Sequence, residues 1–518
     1  MLINTREVSV KEVCDVPSIN LALDTIDMNK QALIFVNTKA GAEKTAEEIS
    51  KKIKDTNLAI LSGKVLNALS RPTKQCERLS RCIKRGVAFH HAGLTQKQKS
   101  LIEDNFRLGK IKIIACTPSL AMGVDLPAFR AIIRDVKRFT RQGLVYIPVL
   151  EYLQMAGRAG RPKYDKEGEA IIVANTEIQE EDVLEKYING KPEKIYSKLA
   201  VEPVLRTYLL SLIAGNFVRK KSQIMDFFSK TFYAHQYGDM HALEGKIEKM
   251  LAMLIDFEFL LCSADEFSSA DKLDDVKYRA TKVGSRVAEL YLDPLTAHNM
   301  INAMKRAKEK ITTSFSYLQL VCFTNELRPL LRVKMKEYDD IIHELVKYED
   351  DLIVYEPSAF ETEYDDFLNS VKTALFFNDW TEEKDEEFLL EKYSIRPGEI
   401  RTKLALADWL LYSALELSKL LSYRDVSKQL VKVRMRLKYG VKEELLPLLK
   451  LKQVGRVRAR AMYGRGIRNI GDVKKTDTAK LGLIIKSRKI AESIKEDLGQ
   501  KVEKVKRGKR KGQLSLNK

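Results

Sequence analysis

Two arginines three residues apart are the strongest candidates for chemistry in this chain of 518 residues. Arg158 and Arg161 lie in the segment Q-M-A-G-R-A-G-R that begins at Gln154, and we predict that they share one face of a helix start. Two guanidinium groups at this spacing suit the negative charge that develops on a phosphoryl group during its transfer. Gly157 and Gly160 leave the backbone open to a polyanion. A basic helix end that faces solvent is the alternative interpretation.

Short apolar strands alternate with helical segments around this pair, from Gln31 to Ala174. This alternation indicates a parallel β-sheet covered by helices. The predicted strands are residues 32–36, 87–89, 111–116, 131–135 and 170–174. Three of them run into polar residues, which should therefore gather at the carboxyl edge of the sheet, where α/β proteins bind ligands.

The polar tips belong to three segments: F-V-N-T ending at Thr38, F-H-H-A-G-L with His90 and His91, and T-P-S-L-A-M-G-V-D-L-P beginning at Thr117. Together with Q-M-A-G-R-A-G-R-P, in this order and spacing, they resemble motifs four to six of the second RecA-like lobe of superfamily-two helicases. They are most similar to the Ski-two-like branch, and within it to the archaeal DNA repair helicases related to human helicase Q and the helicase part of polymerase theta. The similarity extends over nearly the whole chain.

The resemblance implies catalytic roles for three residues of the last segment. Gln154, Arg158 and Arg161 match the motif whose arginines reach the γ-phosphate of ATP and stabilise charge in the transition state. Gly123 and Asp125 match the loop that couples the state of the nucleotide to the bound strand.

The same resemblance implies that Thr38 and Thr117 hold the nucleic-acid backbone. His90 and His91 lie at a strand tip in the family pattern, and we interpret them as structural histidines in a packed turn.

A β-hairpin is predicted between this loop and the arginines, because two strand-like runs flank Arg141-Gln-Gly143 within residues 134–148. Phe139 and Tyr146 lie on either side of the turn, among basic residues. This combination suits wedging against the last base pair of a duplex, and helicases of the family resemble it in having a strand-separating hairpin at this position. Ordinary hairpin packing is the alternative.

The motifs that hold most of the ATP are absent from the sequence. There is no G-x-x-x-x-G-K-[ST] phosphate loop and no D-E-x-H motif to hold magnesium. We therefore expect the chain to lack the first RecA-like lobe, which would bind most of the ATP and Mg²⁺, and to be inactive without it. That lobe could be missing through a gene fragment or a mis-called start, or be supplied in cis or in trans as a separate subunit.

Beyond about residue 190, amphipathic segments of helical length dominate, so the expected fold is an α/β RecA-like lobe followed by mainly helical domains. The expected domains are the second RecA-like lobe at 1–185, a winged helix at 186–292, a helical ratchet domain at 293–437, a helix-hairpin-helix at 438–500 and a basic disordered tail at 501–518.

A tryptophan with a basic residue on the same helical side suits base stacking in a single-strand channel. Arg401 and Trp409 are eight residues apart in a helix that Pro397 should open. The helix resembles the ratchet helix of the family, but the position two turns before the tryptophan is Thr402 rather than a basic residue. We interpret the other tryptophan, Trp380, as a core residue.

Residues 451–467 resemble a helix-hairpin-helix, with two short helices around a turn at Gly455. Arg456, Arg458 and Arg460 would then contact DNA phosphates. The tail at 501–511 adds further basic residues, and Gln513-Leu-Ser-Leu516 faintly resembles a peptide that binds a sliding clamp.

The formal net charge of +19 predicts a polyanionic partner. Through the resemblance we expect single-stranded and forked DNA, and a 3′-to-5′ DNA helicase that acts on stalled or branched forks in repair. A non-catalytic DNA-binding protein and an RNA helicase are the alternatives. Six cysteines without a C-x-x-C pair give no reason to expect a metal site. Without an apolar leader or membrane span, we expect a cytoplasmic protein with no membrane partner.

Overall fold

The computed structural model describes residues 9–54, 57–69, 71–140, 143–161, 165–263 and 276–500. The chain forms two compact units. Unit 1 comprises Met1–Leu199, Lys230–Gly238 and Glu386–Lys403, and unit 2 comprises Ala200–Ser229, Asp239–Asp385 and Leu404–Lys518. The domain boundaries expected from the sequence remain a prediction. The basic tail and the clamp-like peptide lie outside the described residues.

The strands of the described residues are β1 Ala32–Phe35, β2 Val87–His90, β3 Ile113–Cys116, β4 Arg130–Ile133, β5 Lys137–Thr140, β6 Gly143–Tyr146, β7 Glu169–Ile172, β8 Leu260–Cys262 and β9 Tyr278–Ala280. A five-stranded sheet in the order β2-β3-β1-β4-β7 forms the centre of unit 1, and every neighbouring pair in it is parallel. The five predicted strands are confirmed to within two residues at each end. Four of them are buried along their whole length, because helices cover both faces of a parallel sheet.

The α-helices of the described residues are α1 Pro17–Asp27, α2 Lys39–Lys52, α3 Ala59–Leu66, α4 Lys74–Lys84, α5 Gln96–Arg107, α6 Val149–Ala156, α7 Glu177–Val183, α8 Glu202–Ala214, α9 Lys221–Ser229, α10 Phe232–Tyr237, α11 Met240–Asp256, α12 Lys282–Glu289, α13 Pro294–Arg306, α14 Ser314–Cys322, α15 Tyr338–Val346, α16 Tyr364–Thr381, α17 Glu386–Tyr393, α18 Pro397–Leu420, α19 Arg424–Tyr439, α20 Arg456–Tyr463, α21 Ile470–Lys475, α22 Thr478–Ile484 and α23 Arg488–Asp497. Local signals set several starts. Thr38 caps α2, Thr95 and Gln98 form a capping box on α5, and Pro397 opens α18 as predicted.

The predicted hairpin is confirmed as β5 and β6, which pair antiparallel between β4 and α6. Phe139 lies directly opposite Leu144, and Lys137 directly opposite Tyr146. Two residues of the predicted turn, Arg141 and Gln142, lie outside the described residues.

Unit 2 is mainly helical. Its one described sheet pairs β8 with β9 and is followed by α12. The helices after α19 close over their own apolar core, which includes Leu448, Ala459 and Ile494. Trp380 is 6% exposed and donates a hydrogen bond from Nε1 to the carbonyl of Leu437, as expected of a core tryptophan. No helix among the described residues is long and apolar enough to cross a membrane.

Two local predictions were wrong. Arg158 and Arg161 do not lie on a helix: α6 ends at Ala156, and Gly160 follows with a φ of +91°, in the left-handed region that favours glycine. The first helix of the expected helix-hairpin-helix is only a 3₁₀ turn, Leu448–Lys450. Leu451 ends this turn in an extended conformation, and Gln453 follows with a φ of +61° before α20 begins.

Candidate functional site

The loop between β3 and β4 meets Arg158 in unit 1. The guanidinium of Arg158 donates a hydrogen bond to the carbonyl of Ala121, and its Nη1 lies 4.0 Å from Oδ1 of Asp125. The Asp125 side chain is 95% exposed, and Gly123 is exposed with a φ of +93°. Both nucleotide-coupling candidates thus lie on the loop that Arg158 contacts. Because the carboxylate of Asp125 is exposed, it can also bind another partner.

A cleft of about 450 Å³ opens beside this loop. Its walls come from the end of β2, from α5 and from the loop: His90, His91, Lys99, Glu103, Arg107, Ser119, Gly123 and Asp125. Lys99 and Arg107 place two cations in the wall, beside the carboxylates of Glu103 and Asp125.

Arg161 has a different set of partners. It donates to both carboxylate oxygens of Asp165, at 2.5 and 3.1 Å, and to Oε1 of Gln31 at 2.7 Å. Lys30 also contacts Asp165, at 2.6 Å. The hydrogen bond from Arg161 is the largest influence on this carboxyl and, with Lys30, lowers its pKa to about 2 despite the opposing effect of burial. Burial and the charge of Arg161 lower the pKa of Lys112. Arg161 is therefore fixed within a cluster of cations around one ionised carboxylate.

The arginine pair is thus split between two neighbourhoods rather than presented on one face. Gln31 precedes β1, so Arg161 lies towards the amino edge of the sheet, whereas the polar tips follow the carboxyl ends of the strands. Gln154 is exposed on α6. A Cβ atom at Gly168 would lie 2.2 Å from the nitrogen of Gly160, so the lack of a side chain at Gly168 lets the two backbones pack closely.

Thr38 and Thr117 follow neighbouring strands at the carboxyl edge of the sheet. Thr38 is exposed, and its Oγ1 accepts the amide of Gly41 at 3.0 Å as the N-cap of α2. Thr117 shares a 2.8 Å hydrogen bond with Ser119, and its amide donates to the carbonyl of His90 at 3.2 Å. Because β1 and β3 pair in parallel, both threonines present hydroxyls at the same edge. A helix N-terminus beside them favours an anion such as a phosphate.

The two histidines are buried and face carboxylates inside the lobe. His90 Nε2 lies 3.0 Å from Glu103, and His91 Nε2 lies 3.1 Å from Glu43. Burial lowers the pKa of both imidazoles. This environment agrees with our interpretation of them as structural histidines.

The hairpin exposes one aromatic side chain and packs the other. Phe139 is 83% exposed, and Leu144 opposite it is 55% exposed. Tyr146 donates to Asp182 at 2.6 Å, and the ammonium of Lys137 lies 4.2 Å from its ring centroid. Sequence reasoning missed Leu144, although the strand register that pairs it with Phe139 was the signal that could have found it.

The two residues proposed for the ratchet helix also have protein partners. Arg401, in unit 1, donates to Glu386 at 2.7 Å. Trp409, in unit 2, is half-buried, and its Nε1 donates to the carbonyl of Leu290 at 3.2 Å. Thr402 is exposed.

Sequence reasoning also missed a cation that lies over the ring of Tyr412, about one turn after Trp409 on α18. The guanidinium of Arg434 lies 4.8 Å from the ring centroid of Tyr412 and is held by Asp408 at 2.7 and 3.1 Å. Arg434 is on the next helix, α19, so no spacing within α18 could have indicated it.

The arginines of α20 are engaged within unit 2. Arg460 donates to both oxygens of Glu383, at 2.7 and 2.8 Å, and to Glu444 at 2.6 Å. Arg456 donates to the carbonyls of Glu383 and Lys384. Arg458 donates to the carbonyl of Gln453 at 2.6 Å and is half-buried. The structure therefore brings all three onto one short helix but gives each of them a protein acceptor.

Two family descriptions match the chain. "Helicase conserved C-terminal domain" matches residues 66–163, and "Archaeal helicase, domain 4" matches residues 315–440. The first range contains Arg158, Arg161 and the loop that Arg158 contacts, and the second contains the part of α18 that carries Trp409.

The chain is also similar to curated proteins named ATP-dependent DNA helicase Hel308. The protein of Pyrococcus horikoshii is 40% identical over 502 residues, which are 95% of this chain and 67% of the relative. That of Methanococcus vannielii is 37% identical over 88% of this chain and 64% of the relative, and that of Pyrococcus abyssi is 38% identical over 95% and 67%. The chain thus spans about two thirds of the length of these relatives.

Proposed function

Because the chain belongs to the Hel308 family of archaeal superfamily-two DNA helicases, we propose that it forms the second RecA-like lobe and the DNA-gripping part of an ATP-dependent 3′-to-5′ DNA helicase. The observation that carries the proposal is the meeting of Arg158 with the loop of Gly123 and Asp125 in a parallel-sheet lobe. The substrate we propose is a stalled or branched replication fork in DNA repair, on the basis of the family resemblance.

The arginines act on ATP in this proposal. Arg158 and Arg161 stabilise the negative charge that gathers on the γ-phosphate as it is transferred to water. Asp165 stays ionised and orients Arg161. Gly123 and Asp125 lie on the loop that Arg158 contacts, so a movement of Arg158 would act directly on that loop.

No magnesium site is found in the part of the chain that the structure describes. The described residues contain no group of three or more His, Cys, Asp or Glu side chains that could hold a metal ion. We therefore assign Mg²⁺ and most of the ATP contacts to a first lobe that carries the phosphate loop and the D-E-x-H motif, and no step in this chain proceeds through the metal.

The DNA contacts we propose lie in both units. In unit 1, Thr38 and Thr117 bind the backbone of the tracking strand and Phe139 parts the duplex. In unit 2, Trp409 stacks on a base. Arg456, Arg458 and Arg460 bind phosphates in a helix-hairpin-helix-like domain, and residues around α8, α9, α11 and α12 form a winged helix.

Strand separation on matched forks tests this proposal. The chain is combined with a first lobe, for which the obvious source is the third of the Pyrococcus horikoshii relative that it does not match. We expect ATP-dependent unwinding of a DNA fork with a 3′ single-stranded arm and little unwinding of the same fork made of RNA. Unwinding of the RNA fork alone would favour an RNA helicase, and tight DNA binding without unwinding would favour a non-catalytic DNA-binding protein.

A further inference from the structure

A buried carboxylate in unit 1 joins segments that are far apart in the chain. Glu43 on α2 is 3% exposed and accepts hydrogen bonds from Nε2 of Gln75 at 3.0 Å, Nε2 of His91 at 3.1 Å and Nε of Arg396 at 2.9 Å. Arg78 approaches the other carboxylate oxygen at 2.5 Å. Arg396 lies 353 residues after Glu43 and directly precedes α18.

The hydrogen bonds in this cluster determine the ionisation of Glu43 and the protonation of His91. Burial alone would raise the pKa of Glu43, but the bond from His91, the charge of Arg396 and the bond from Gln75 outweigh it and bring the pKa to about 2. Nδ1 of His91 accepts the amide of Gly93 at 3.1 Å, so Nε2 carries the proton that is donated to Glu43. The cluster is thus an ionised carboxylate between two guanidinium groups and a neutral imidazole.

The backbones meet beside this ion pair. The amide of Gly398 donates to the carbonyl of Gly93 at 2.9 Å. A Cβ atom at Gly398 would lie 2.3 Å from the carbonyl oxygen of Leu94, and one at Gly93 would lie 2.4 Å from Cδ of Arg396. Two glycines therefore let the start of α18 lie directly against the end of β2. We call the contact formed by Glu43, Arg396, Gly93 and Gly398 the α18 anchor.

Further ion pairs surround the anchor. Lys39, at the start of α2, pairs with Glu399, and Lys74 pairs with Glu391 at 2.6 Å. The first turn of α18 is thus attached to the lobe through Glu399, and the preceding helix α17 is attached through Glu391.

The same helix carries Trp409, twelve residues after Pro397. Twelve helical residues span about 18 Å, and a continuous α-helix transmits a displacement of its start along its axis. We propose that Glu43 and Arg396 are positioning residues that couple movement of the RecA-like lobe to the strand-gripping helix α18. This inference rests on the proposed function, because it needs a helicase in which the lobe moves with each ATP.

The test compares Arg396→Gln with Glu47→Gln in the enzyme assembled with a first lobe. Glu47 lies one turn after Glu43 on α2 and pairs with Arg78 at 2.6 and 3.0 Å, so its loss removes a similar ion pair outside the anchor. Single-strand-stimulated ATP hydrolysis and duplex unwinding are measured in parallel. For Arg396→Gln we expect the base pairs opened per ATP to fall roughly tenfold, within the usual range for coupled sites, while ATP turnover stays within about twofold. Glu47→Gln should change neither rate.

Arg396→Lys should recover part of the lost ratio, because the ammonium keeps the charge and one hydrogen bond to Glu43. A merely structural role predicts instead that both rates fall together in Arg396→Gln, which would overturn the inference, as would an unchanged ratio.

Amide hydrogen exchange in the chain alone supplies a second measurement that needs no first lobe. Arg396→Gln should speed exchange at residues 396–400, and Glu47→Gln should not. Equal exchange in both variants would overturn the anchor even if the helicase works. If the unmodified enzyme hydrolyses no ATP on DNA, the proposed function fails, and the coupling role fails with it whatever the exchange shows.

Discussion

The two groups of arginines that the sequence singled out are held by different kinds of partner. In unit 1, Arg161 donates two hydrogen bonds to Asp165, whose side chain is 1% exposed. In unit 2, Arg460 donates to Glu383, whose side chain is 14% exposed, and to Glu444, whose side chain is 39% exposed. A buried carboxylate keeps its arginine in one place. An exposed carboxylate can be replaced, as the partner of its arginine, by a phosphate oxygen of DNA.

Buried and exposed ion pairs differ in how much free energy they contribute to stability. Removing one partner of a buried ion pair costs roughly 3–5 kcal/mol, whereas an exposed pair contributes about 0–1 kcal/mol. Arg161 is therefore preorganised for a charge that appears in one position, as on a transferring phosphoryl group. Arg460 can exchange partners, as binding to a DNA backbone of any sequence requires. The exposure of the carboxylate partner, rather than the residue type, separates Arg161 from Arg460.

The largest expected effect comes from the two arginines of unit 1, Arg158 and Arg161. In the enzyme assembled with a first lobe, Arg158→Ala or Arg161→Ala should lower DNA-stimulated ATP turnover roughly 10³-fold or more, as the loss of an arginine finger does. Asp165→Asn should give a smaller loss, because the guanidinium remains but loses the ionised partner that orients it. Arg85→Ala, at a half-buried arginine of the same lobe that donates to the carbonyl of Lys54, is the control. Steady-state ATPase assays decide, and near-normal turnover in Arg161→Ala would remove the distinction between the two groups.

The hairpin should give the next largest effect. Phe139→Ala with Tyr146→Ala should leave single-strand-stimulated ATPase near normal but cut unwinding at least about tenfold, because unstacking a base step costs a few kcal/mol. The structure sharpens this expectation: Phe139→Ala with Leu144→Ala should suffice, since those two side chains are exposed opposite each other.

Tyr146→Phe is the matched control for the hairpin, since it keeps the ring beside Lys137 and loses only the bond to Asp182. If ATPase and unwinding drop together in the Phe139 variants, the hairpin is structural. If neither changes, the strands are parted elsewhere.

Features that depend on residues close together in the sequence were predictable, and features that depend on residues far apart in the sequence were not. The strands were predictable because an apolar run between turn residues is a local signal, and so was the start of α18 at Pro397. The placement of Arg158 and Arg161 was not, because Gly157 ends α6 and Gly160 turns the chain away. The same glycines had been interpreted as open backbone.

The partners of the candidate residues escaped prediction for the same reason. Glu383 lies 77 residues before Arg460, and Glu43 lies 353 residues before Arg396. No periodicity links residues at such separations, so an arginine predicted to face DNA could not be told from one that has a carboxylate beside it.

A smaller effect, on DNA affinity, is expected when the carboxylate partner of Arg460 is removed. Glu383→Gln removes the charge that holds Arg460 and should raise affinity for single-stranded DNA several-fold, since a gain of about 1 kcal/mol is roughly fivefold. The log–log dependence of affinity on salt should also steepen by about 0.7 for each added phosphate contact. Fluorescence anisotropy at several salt concentrations measures both quantities.

Glu443→Gln is the control for that experiment, because Glu443 pairs with Lys432 rather than with the α20 arginines. An affinity that falls or stays constant in Glu383→Gln would mean that Arg460 supports the fold rather than DNA binding.

The smallest effect is a difference in pH dependence between the two units, because burial lowers the pKa of two histidines in unit 1 but of one, His298, in unit 2. Burial lowers the pKa of His90 and His91 in unit 1 below the ordinary 6.5. Below pH 6.5 the unfolded chain therefore binds more protons than the folded one, and the free energy of unfolding falls as pH drops, by at most about 1.4 kcal/mol per pH unit for each histidine. The loss ends where the folded state itself takes up the protons.

Urea unfolding at pH 7.5 and 5.5 checks this. Both tryptophans lie in unit 2, so their emission follows that unit, whereas circular dichroism follows both. The midpoint by circular dichroism should shift more than the midpoint by emission. His90→Gln should reduce the shift, and the fully exposed His241→Gln should not. Equal shifts by both probes would place the pH dependence outside the lobe.

DNA-stimulated ATP hydrolysis by the pure chain, with and without a first lobe, tests the central claim most directly. If this chain completes an ATP site whose phosphate loop lies on another lobe, the chain alone should release no phosphate above background. Turnover should appear on addition of the first lobe and saturate as the two associate. Robust hydrolysis by the pure chain that Arg161→Ala abolishes would contradict the account, because the chain would then hold a complete ATP site of its own.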